Sequence, residues 1–495
     1  MTQATTQISS RPTFIDFNPR NLRVGAQPIS VWFLGFTFWF ATSIALPFIG
    51  ADNFLDTLFS TSGFLAYFTI QFSIIRLTML MIAGKPRYMA INFWVFVYIF
   101  FGIASFLQLD SGNFLRHQLY RGGDYATSVL TLAQFIVVVG CVSYELGAYF
   151  LRHRPPRRML TAPPSATVSL SDLNAVTLIA VIAGVIYIGR AGASIVGTRD
   201  SINSFEANSV NNLIRMVLFG AAFLILATFH RARIHDWRAL SGISQALFIV
   251  CVAECLIVNN PSTTQRATVG AVIGGLAAAY VSSDSKRFIR LMIIALIAGT
   301  VIVYPALNTF RRADPTNEIS VTPTGFLGDL KLADENFNMF AQVGDGIEYV
   351  DEFGHDYGKF FLASSLVFVP RSIWTSKALD AGDTTHDALG YPSRYNYSSP
   401  LWMESYVEGG FPVLIAVFLA LGAISFLLDL HFVQVGFGRL ALMAPAIAFY
   451  LPYVLRGSTL AASAPLYALL GTLLLVLRST RSHTSHSRAL AIEHR

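Results

Sequence analysis

Long apolar runs recur along most of this chain and are separated by short polar segments. A bilayer core about 30 Å thick is crossed by about 20 apolar residues in helical conformation. Runs that reach or approach this length occupy 29–49, 62–83, 88–109, 128–150, 173–189, 212–229, 241–258, 267–282, 291–309, 408–428, 440–455 and 459–477. The pattern predicts an all-α polytopic membrane protein with about 12 transmembrane helices.

One long polar gap divides this pattern into three parts. Residues 1–309 hold the first nine predicted helices, and 408–495 hold the last three together with a basic tail. The loop over 310–407 lies between them, and its aromatic residues and Gly/Pro turns indicate ordered structure with short helices. The apolar run near 360–370 is too short to cross a bilayer, so we expect a re-entrant or interfacial segment there.

The composition agrees with this pattern and excludes several classes of protein. Hydrophobic residues make up 54% of the chain and charged residues 13%, whereas soluble proteins carry about 25% charged residues. The chain therefore lacks the charged surface that a cytosolic enzyme needs. The net charge of +6 follows from the location of the basic residues, and we expect no nucleic-acid partner.

The distribution of the basic residues predicts the orientation in the membrane. Short cytoplasmic loops of membrane proteins carry an excess of Lys and Arg. If the N-terminus is cytoplasmic, the terminal segments and the alternate short loops on that side contain more than half of the 35 basic residues. We therefore expect both termini in the cytoplasm and the 310–407 loop on the opposite face.

Arg76, Glu145 and Glu254 lie well inside predicted membrane-spanning helices. An isolated charge at the centre of a bilayer costs at least about 3 kcal/mol, so such residues face a cavity or pair with each other. Arg76 and Glu145 are predicted to form a structural pair. A proton or ion pathway through these residues is the alternative interpretation.

A second group of unusual charges lies on the predicted outer face. Arginine suits phosphate because its planar guanidinium donates two hydrogen bonds to adjacent oxygens and stays charged. If these cations converge, they form an anion site, although each could instead reach lipid headgroups at a helix end. The group consists of Arg190, Arg199, Arg311, Arg312, Arg371, Lys377 and Arg456.

Sequence motifs of several soluble enzymes are absent from the chain. It has no Gly-rich phosphate loop ending in GK(S/T), no HExxH and no GxSxG. It also lacks the DxD motif with which many sugar-nucleotide transferases hold a metal–nucleotide complex. We therefore expect a metal-independent reaction without a cofactor, in which arginines bind a phosphate donor presented from the membrane.

From residue 311 to 458 the chain resembles the Wzy-type polymerases of bacterial O-antigen and exopolysaccharide synthesis, which are similar to the GT-C class of membrane glycosyltransferases. Arg371 and Gly382 match the R-x10-G spacing found in outer loops of some such polymerases. The other matching pieces occur in order: the NTFRR segment ending at Arg312, Asp334 to Asn338, Gly358, Phe368 to Lys377, Glu404, the Gly409–Gly410 pair, and Arg456-Gly457-Ser458.

The resemblance implies a specific reaction and location. The donor would be a growing glycan on undecaprenyl pyrophosphate, and the acceptor one lipid-linked repeat unit. The whole chain would be transferred to the acceptor hydroxyl at the periplasmic face of the bacterial inner membrane. Besides membrane lipid, a chain-length regulator and a flippase are the partners that this family implies.

Site residues follow from what this reaction requires. Cations must stabilise the charge that develops on the departing pyrophosphate, and we expect Arg371 at the donor phosphate with the other outward cations in support. An acidic residue or the substrate must accept the hydroxyl proton, and Glu404 and Asp383 are the candidates. Trp374, Tyr395 and Tyr397 are candidates for sugar stacking, or alternatively anchors at the membrane interface.

Two other functions remain open from the sequence. An O-antigen ligase, or another lipid-carrier glycosyltransferase, would share the topology. Ligases carry a His about eleven residues before the Gly of a GxxG segment, but here Ser398 or Ser399 occupies that place and His386 lies too far upstream. A transporter or flippase of lipid-linked sugars would explain the helices and arginines, but neither an ordered outer loop nor the absence of internal repeats.

Overall fold

The computed structural model describes residues 28–153, 166–196, 209–231, 236–261, 263–281, 285–303, 337–392, 398–435 and 439–479. Almost all of them are helical, as the apolar pattern predicts. We number the helices α1 Ile29–Gly50, α2 Phe54–Phe59, α3 Thr61–Ala83, α4 Tyr88–Ser111, α5 Leu115–Arg121, α6 Thr127–His153, α7 Leu170–Ala191, α8 Ser209–Leu226, α9 Gly242–Val258, α10 Arg266–Tyr280, α11 Lys286–Ala298, α12 Met339–Phe353, α13 Lys359–Ser365, α14 Ala381–Ala388, α15 Leu401–Val435, α16 Arg439–Arg456 and α17 Thr459–Val476.

The helical membrane architecture is confirmed in its main feature. Eight helices in the described part of the chain are long and apolar enough to cross a membrane: α1, α3, α4, α6, α7, α8, α15 and α17. Shorter apolar helices occupy three more of the predicted runs, at Gly242–Val258, Ala267–Tyr280 and Leu442–Arg456. The total of twelve crossing helices stays a prediction.

Short secondary-structure elements complete the described chain. Strands β1 (Ala166–Val168) and β2 (Leu477–Ser479) pair antiparallel, with Val168 opposite Leu477, and join the start of α7 to the end of α17. The predicted short helices of the long loop are present as α12, α13 and α14. Whether α13 and the residues after it enter the membrane stays a prediction.

Two hydrophobic cores lie side by side. The first is built from α3, α4, α6, α11, α12 and α15, and the second from α7, α8, α9, α10 and α17. Helix α16 packs into both, with Ala444 and Phe449 in the first core and Ala446 and Tyr450 in the second. Residues of the loop helices α12–α14 are buried in the first core, and α13 also contacts α17 through Ser364 and Thr459.

Helices α6 and α15 pack closely because each places a glycine against the backbone of the other. A Cβ atom at Gly147 would lie 2.0 Å from the Leu419 carbonyl oxygen, and one at Gly422 would lie 1.9 Å from the Tyr144 carbonyl oxygen. Small residues allow this approach in membrane helices, where van der Waals packing drives association.

Helix α15 consists of two helical segments separated by a break at Gly409–Gly410, the pair at which the sequence predicts the start of a membrane-spanning helix. The segment before the break is an additional short helix, and its first residues Leu401 and Trp402 are buried in the first core. Gly410 has φ +65° and ψ −151°, which interrupts the helix and favours glycine. The segment before the break carries Glu404 and Glu408, both buried.

The two ends of the first core can be told apart by their contacts. At one end, called the loop end, Tyr125 donates a hydrogen bond to Asp345 of α12. At the other, called the distal end, Asp429 near the end of α15 accepts hydrogen bonds from the first backbone N–H groups of α4, those of Met89 and Ala90.

The predicted pair between Arg76 and Glu145 is confirmed. Nε of Arg76 lies 2.8 Å from Oε1 of Glu145, and Nη2 lies 2.6 Å from Oε2. Trp94 adds a third hydrogen bond of 3.1 Å from its indole nitrogen to Oε1 of Glu145. Glu254 does not take part in this pair and is buried against Gly184 of α7.

Candidate functional site at the loop end

A buried carboxylate organises the contact between α12 and the surrounding loop. Asp345 is 4% exposed and accepts hydrogen bonds from the Tyr125 hydroxyl at 2.6 Å and the Tyr391 hydroxyl at 2.7 Å. Nε2 of buried His386 lies 3.1 Å from its other oxygen. Burial alone would raise the pKa of Asp345, but these hydrogen bonds and the nearby His386 outweigh burial and lower it.

A second histidine lies on the same face of α12. Nε2 of His117 lies 3.0 Å from Oε1 of Glu348, and its Nδ1 lies 2.8 Å from the Gly123 carbonyl oxygen. Burial alone would lower the pKa of His117, but these two hydrogen bonds and the charges of Glu348 and Asp345 raise it overall. Arg121 forms ion pairs with Glu348 and Glu352.

The two histidines line one polar pocket at the loop end, with about 500 Å³ of empty space including its open mouth. Gln108 is 1% exposed, and its Oε1 has no hydrogen-bond partner among the described residues. A buried acceptor without a partner is costly and is satisfied by a bound donor such as a hydroxyl group or water. The remaining lining residues are Asn113, Phe114, Leu115, Arg116, Tyr125, Asn338, Ala341 and Asp345.

Two acidic residues hold the turn between α16 and α17. Glu404 accepts a hydrogen bond of 2.8 Å from the Thr459 backbone N–H and another from its hydroxyl. Asp380 accepts a hydrogen bond from the Ser458 hydroxyl and, 2.9 Å long, from the Gly382 backbone N–H at the start of α14. Burial raises the pKa of Asp380, and the hydrogen bonds offset part of that rise.

Arg456 ends α16 directly before this turn. Its Nε is buried and has no hydrogen-bond partner within the described ranges. Buried donors are nearly always paired, so this guanidinium is suited to an anion that supplies the missing acceptor. Of the predicted site residues, Arg456 and Glu404 are therefore brought to the same turn.

Arg371 and Lys377 hold the shape of the loop that follows α13. Lys377 is buried and its Nζ donates to the carbonyl oxygens of Leu366, Val367 and Val369 at 2.9–3.1 Å. An ammonium has three donors, so this conformation leaves none for a phosphate. Burial and the charge of Arg371 lower the pKa of Lys377.

Arg371 itself is exposed and partly engaged. Its two terminal nitrogens donate to the carbonyl oxygens of Lys377 at 2.7 Å and Ala378 at 2.8 Å. The fork that we predicted would hold phosphate is directed at the backbone of its own loop. A role at the donor phosphate therefore requires these contacts to be shared or exchanged.

The remaining predicted site residues are dispersed. Asp383 is exposed on the first turn of α14, and half-buried Trp374 donates its indole N–H to Ser376 at 3.1 Å. Arg190 is exposed at the end of α7, which belongs to the second core. Outside the described residues lie Arg199, Arg311, Arg312, Tyr395 and Tyr397.

The pocket residues Asp345, His386 and His117 were missed as site residues by the sequence analysis. A usable signal was present, because His117 and Arg121 are spaced one helical turn apart, as are Glu348 and Glu352. Two short helices with complementary charges at this spacing favour pairing. The contacts join segments more than 200 residues apart, so the spacing alone does not identify the partners.

The chain was compared with known proteins. No family model, curated protein or solved structure matches it. Within the described ranges, no group of three or more His, Cys, Asp or Glu side chains could hold a metal ion. The function is therefore argued from the site itself.

Proposed function

We propose that this chain is a membrane glycosyltransferase of the GT-C type with twelve crossing helices. It would polymerise polyprenyl-pyrophosphate-linked oligosaccharide repeat units into O-antigen or exopolysaccharide. The distribution of the basic residues predicts that its loop end is the periplasmic face of the bacterial inner membrane. The observation that carries the proposal is the buried, unpaired guanidinium Nε of Arg456 beside the turn held by Glu404 and Asp380.

The proposed reaction exchanges one glycosidic bond for another. The bond between the donor sugar and the carrier pyrophosphate breaks, and the acceptor hydroxyl oxygen forms the new bond to the same anomeric carbon. The pyrophosphate leaves with the electron pair and needs cationic donors placed where its charge develops. Arg456 supplies such a donor, with Arg371 as a second one after release from its loop carbonyls.

The hydroxyl proton needs an acceptor at the same place. Both Glu404 oxygens already accept hydrogen bonds from Thr459, so in this conformation Glu404 acts chiefly on the position of the turn. Asp383 is exposed three positions after Asp380 and is accessible to a substrate hydroxyl. Both carboxylates remain candidate bases. Replacing each in turn and measuring glycan elongation separates their roles.

The polar pocket supports a carbohydrate substrate. Its lining combines aromatic rings with amide, guanidinium and imidazole groups, the mixture that binds sugar hydroxyls while covering their apolar faces. The Oε1 atom of Gln108, which has no hydrogen-bond partner among the described residues, is suited to accept a hydrogen bond from a sugar hydroxyl. In the proposal this pocket holds part of the acceptor repeat unit.

The decisive assay gives purified full-length protein in proteoliposomes a polyprenyl-pyrophosphate-linked repeat unit and no nucleotide sugar. We expect longer glycans on the carrier, resolved by gel electrophoresis or mass spectrometry. Unchanged glycan length would refute polymerisation. Elongation only after addition of a lipid A core acceptor would identify a ligase, and movement of the substrate across the bilayer without elongation would identify a flippase.

Variants test the residue that carries the proposal. Arg456→Ala should lower the elongation rate about 10²-fold to 10³-fold, the loss typical of one donor to a developing oxyanion. Lys359→Ala removes an exposed loop-end cation outside the turn and the pocket and serves as the matched control. A folded Arg456→Ala protein with full elongation activity would contradict the assignment.

A further inference from the structure

The distal end of the first core contains a second cleft, with about 660 Å³ of empty space including its open mouth. One part of its wall is ionic and contains Lys85 and Arg87 from the turn between α3 and α4. Another part is apolar and contains Phe426, Leu430 and Val433 of α15. The cleft is therefore amphipathic, and it lies where membrane-crossing helices end.

The cations of this cleft repel one another. Burial, followed by the charges of Arg87, Arg152 and Lys286, lowers the pKa of Lys85. Burial also lowers the pKa of Arg87, which Asp429 partly offsets and Arg152 lowers further. Arg87, Arg152 and Lys286 therefore lie within electrostatic range of Lys85.

These cations lie without hydrogen-bonding partners among the residues that the structure describes. Within the described ranges, the side chains of Lys85, Arg87, Arg152 and Lys286 form no ion pair and no hydrogen bond. Gly84, with φ +59°, brings the Lys286 stem to within 3.0 Å of its own missing Cβ position. Close backbone packing thus holds the stem of Lys286 at Gly84, the residue before Lys85.

The acidic residues of the cleft are already engaged. Glu145 accepts hydrogen bonds from Arg76 and Trp94. Asp429 accepts from the backbone N–H groups of Met89 at 2.9 Å and Ala90 at 3.1 Å. These carboxylates offset only part of the positive charge, and an additional anion is favoured at this place.

We propose that the distal cleft binds an anionic phospholipid, with the headgroup phosphate at Lys85 and Arg87 and the lipid chain along Phe426, Leu430 and Val433. Basic pockets between membrane helices on the cytoplasmic side bind anionic lipid headgroups in this manner. A soluble phosphate compound would satisfy the cations but would leave the apolar wall uncovered. The inference does not depend on the proposed polymerase activity.

The orientation rule alone does not account for this arrangement. It explains why basic residues are frequent on the cytoplasmic side, and our predicted orientation places the distal end there. It does not explain why Lys85 and Arg87 line one cleft without an ion pair among the described residues, since cations spread along the surface would serve orientation equally well and repel less.

The test uses full-length protein purified in a neutral detergent, stripped of lipid and titrated with phosphatidylglycerol or with neutral phosphatidylcholine. Native mass spectrometry counts the bound lipids, and thermal unfolding reports the stabilisation. We expect preferential binding of phosphatidylglycerol. The double variant Lys85→Gln/Arg87→Gln should bind it roughly 30-fold more weakly, since each cation near an anionic headgroup accounts for about a fivefold change.

The matched control is Arg238→Gln/Lys359→Gln, which removes two exposed cations outside the cleft. It should bind phosphatidylglycerol as the unaltered protein does. If the first double variant does not fold in neutral-detergent micelles, Lys85→Gln alone, at an exposed position in the cleft wall, replaces it with an expected loss of about fivefold.

Two results would overturn the proposal. Equal phosphatidylglycerol affinity in the folded cleft variant and the control would show that the cleft is not the lipid site. Stabilisation by inorganic phosphate or glycerol 3-phosphate as large as that by phosphatidylglycerol, and lost in the cleft variant, would assign the site to a soluble phosphate compound instead of a lipid.

Discussion

Charged side chains at the loop end of the first core lie beside hydrogen-bonding partners, whereas cations at the distal end lie near other cations. At the loop end Asp345 has three hydrogen-bond donors, and His117 and Arg121 face Glu348. At the distal end Arg87 and Lys85 face other cations. Satisfied networks hold a structure in one arrangement, whereas unpaired like charges around a cleft favour a ligand of opposite charge.

The comparison also explains the position of Arg456. It lies at the loop end, beside a turn that Glu404 and Asp380 hold by hydrogen bonds, yet its buried Nε has no partner in the described part of the chain. Arg456 thus resembles the cations of the distal end, which also lie without a hydrogen-bonding partner among the described residues. This unpaired donor is the reason for placing the proposed chemistry beside the α16–α17 turn.

The largest loss of stability should come from removing the Asp345 carboxylate, which accepts the hydrogen bonds of the loop-end network. Asp345→Ala leaves two buried tyrosine hydroxyls and His386 without their acceptor, so we expect a loss of about 4 kcal/mol in the free energy of unfolding. Chemical denaturation in detergent micelles measures it. Asp387→Ala, exposed on α14, is the control and should change little; equal losses in both variants would contradict the network's role.

The next largest effect should come from the helix pair that connects the two ends. Gly422→Ala places a Cβ 1.9 Å from the Tyr144 carbonyl oxygen and forces α6 and α15 apart, at a cost of about 2–3 kcal/mol. Thermal unfolding checks this. Gly471→Ala, with no atom within 4 Å of its Cβ position, should be tolerated, and tolerance of Gly422→Ala would argue against close packing of the helices.

A smaller effect is expected from the charged pair of Arg76 and Glu145 near the distal end. Glu145→Gln keeps the shape but weakens the hydrogen bonds to Arg76 and Trp94, so we expect a loss of about 1.5 kcal/mol. A double-mutant cycle with Arg76→Gln measures the coupling. Additive losses would show that the pair contributes nothing beyond its separate side chains.

The smallest effect is a pH dependence at the loop end. The pKa of His117 is raised above its ordinary value of 6.5, so its contribution to stability is complete below that value and is lost as the pH rises through the raised pKa. The unfolding midpoint should fall over that range. His117→Gln should remove this part of the slope, and an unchanged slope would exclude His117 as its source.

The contribution of Asp345 to stability changes with pH in the opposite direction. Its pKa is lowered below the ordinary value of 3.8, so its stabilisation is present above that value and is lost as the pH falls through the lowered pKa. Asp345 therefore stays ionised from mildly acidic to mildly basic conditions, and the difference in slope between the unaltered protein and His117→Gln isolates the contribution of His117.

The positions of the helices and one ion pair could be predicted from the sequence. The run 62–83 corresponds to the helix Thr61–Ala83, since hydrophobic length is a property of consecutive residues. Arg76 and Glu145 could be paired because charges inside apolar helices have few alternatives. The short helical segment that precedes Gly409–Gly410 could not be predicted, because it depends on the burial of Leu401 and Trp402 against distant helices.

The candidate site was only partly predictable. Glu404 and Arg456 were identified by residue type, and the structure places both at one turn. Lys377 was also chosen by type, but its ammonium is engaged by three carbonyl oxygens that follow α13. Asp345 and His386 come from different segments of the loop, and their meeting depends on how α12 and α14 pack.

The sequence by itself determined that this is a helical membrane protein, approximately where its apolar helices lie, and which charges need an explanation. Only the tertiary structure decided which charges are neutralised and which are left without partners. The physical reason is the range of the interactions: apolar burial is encoded along consecutive residues, whereas hydrogen bonds require atoms of distant segments to lie within about 3 Å.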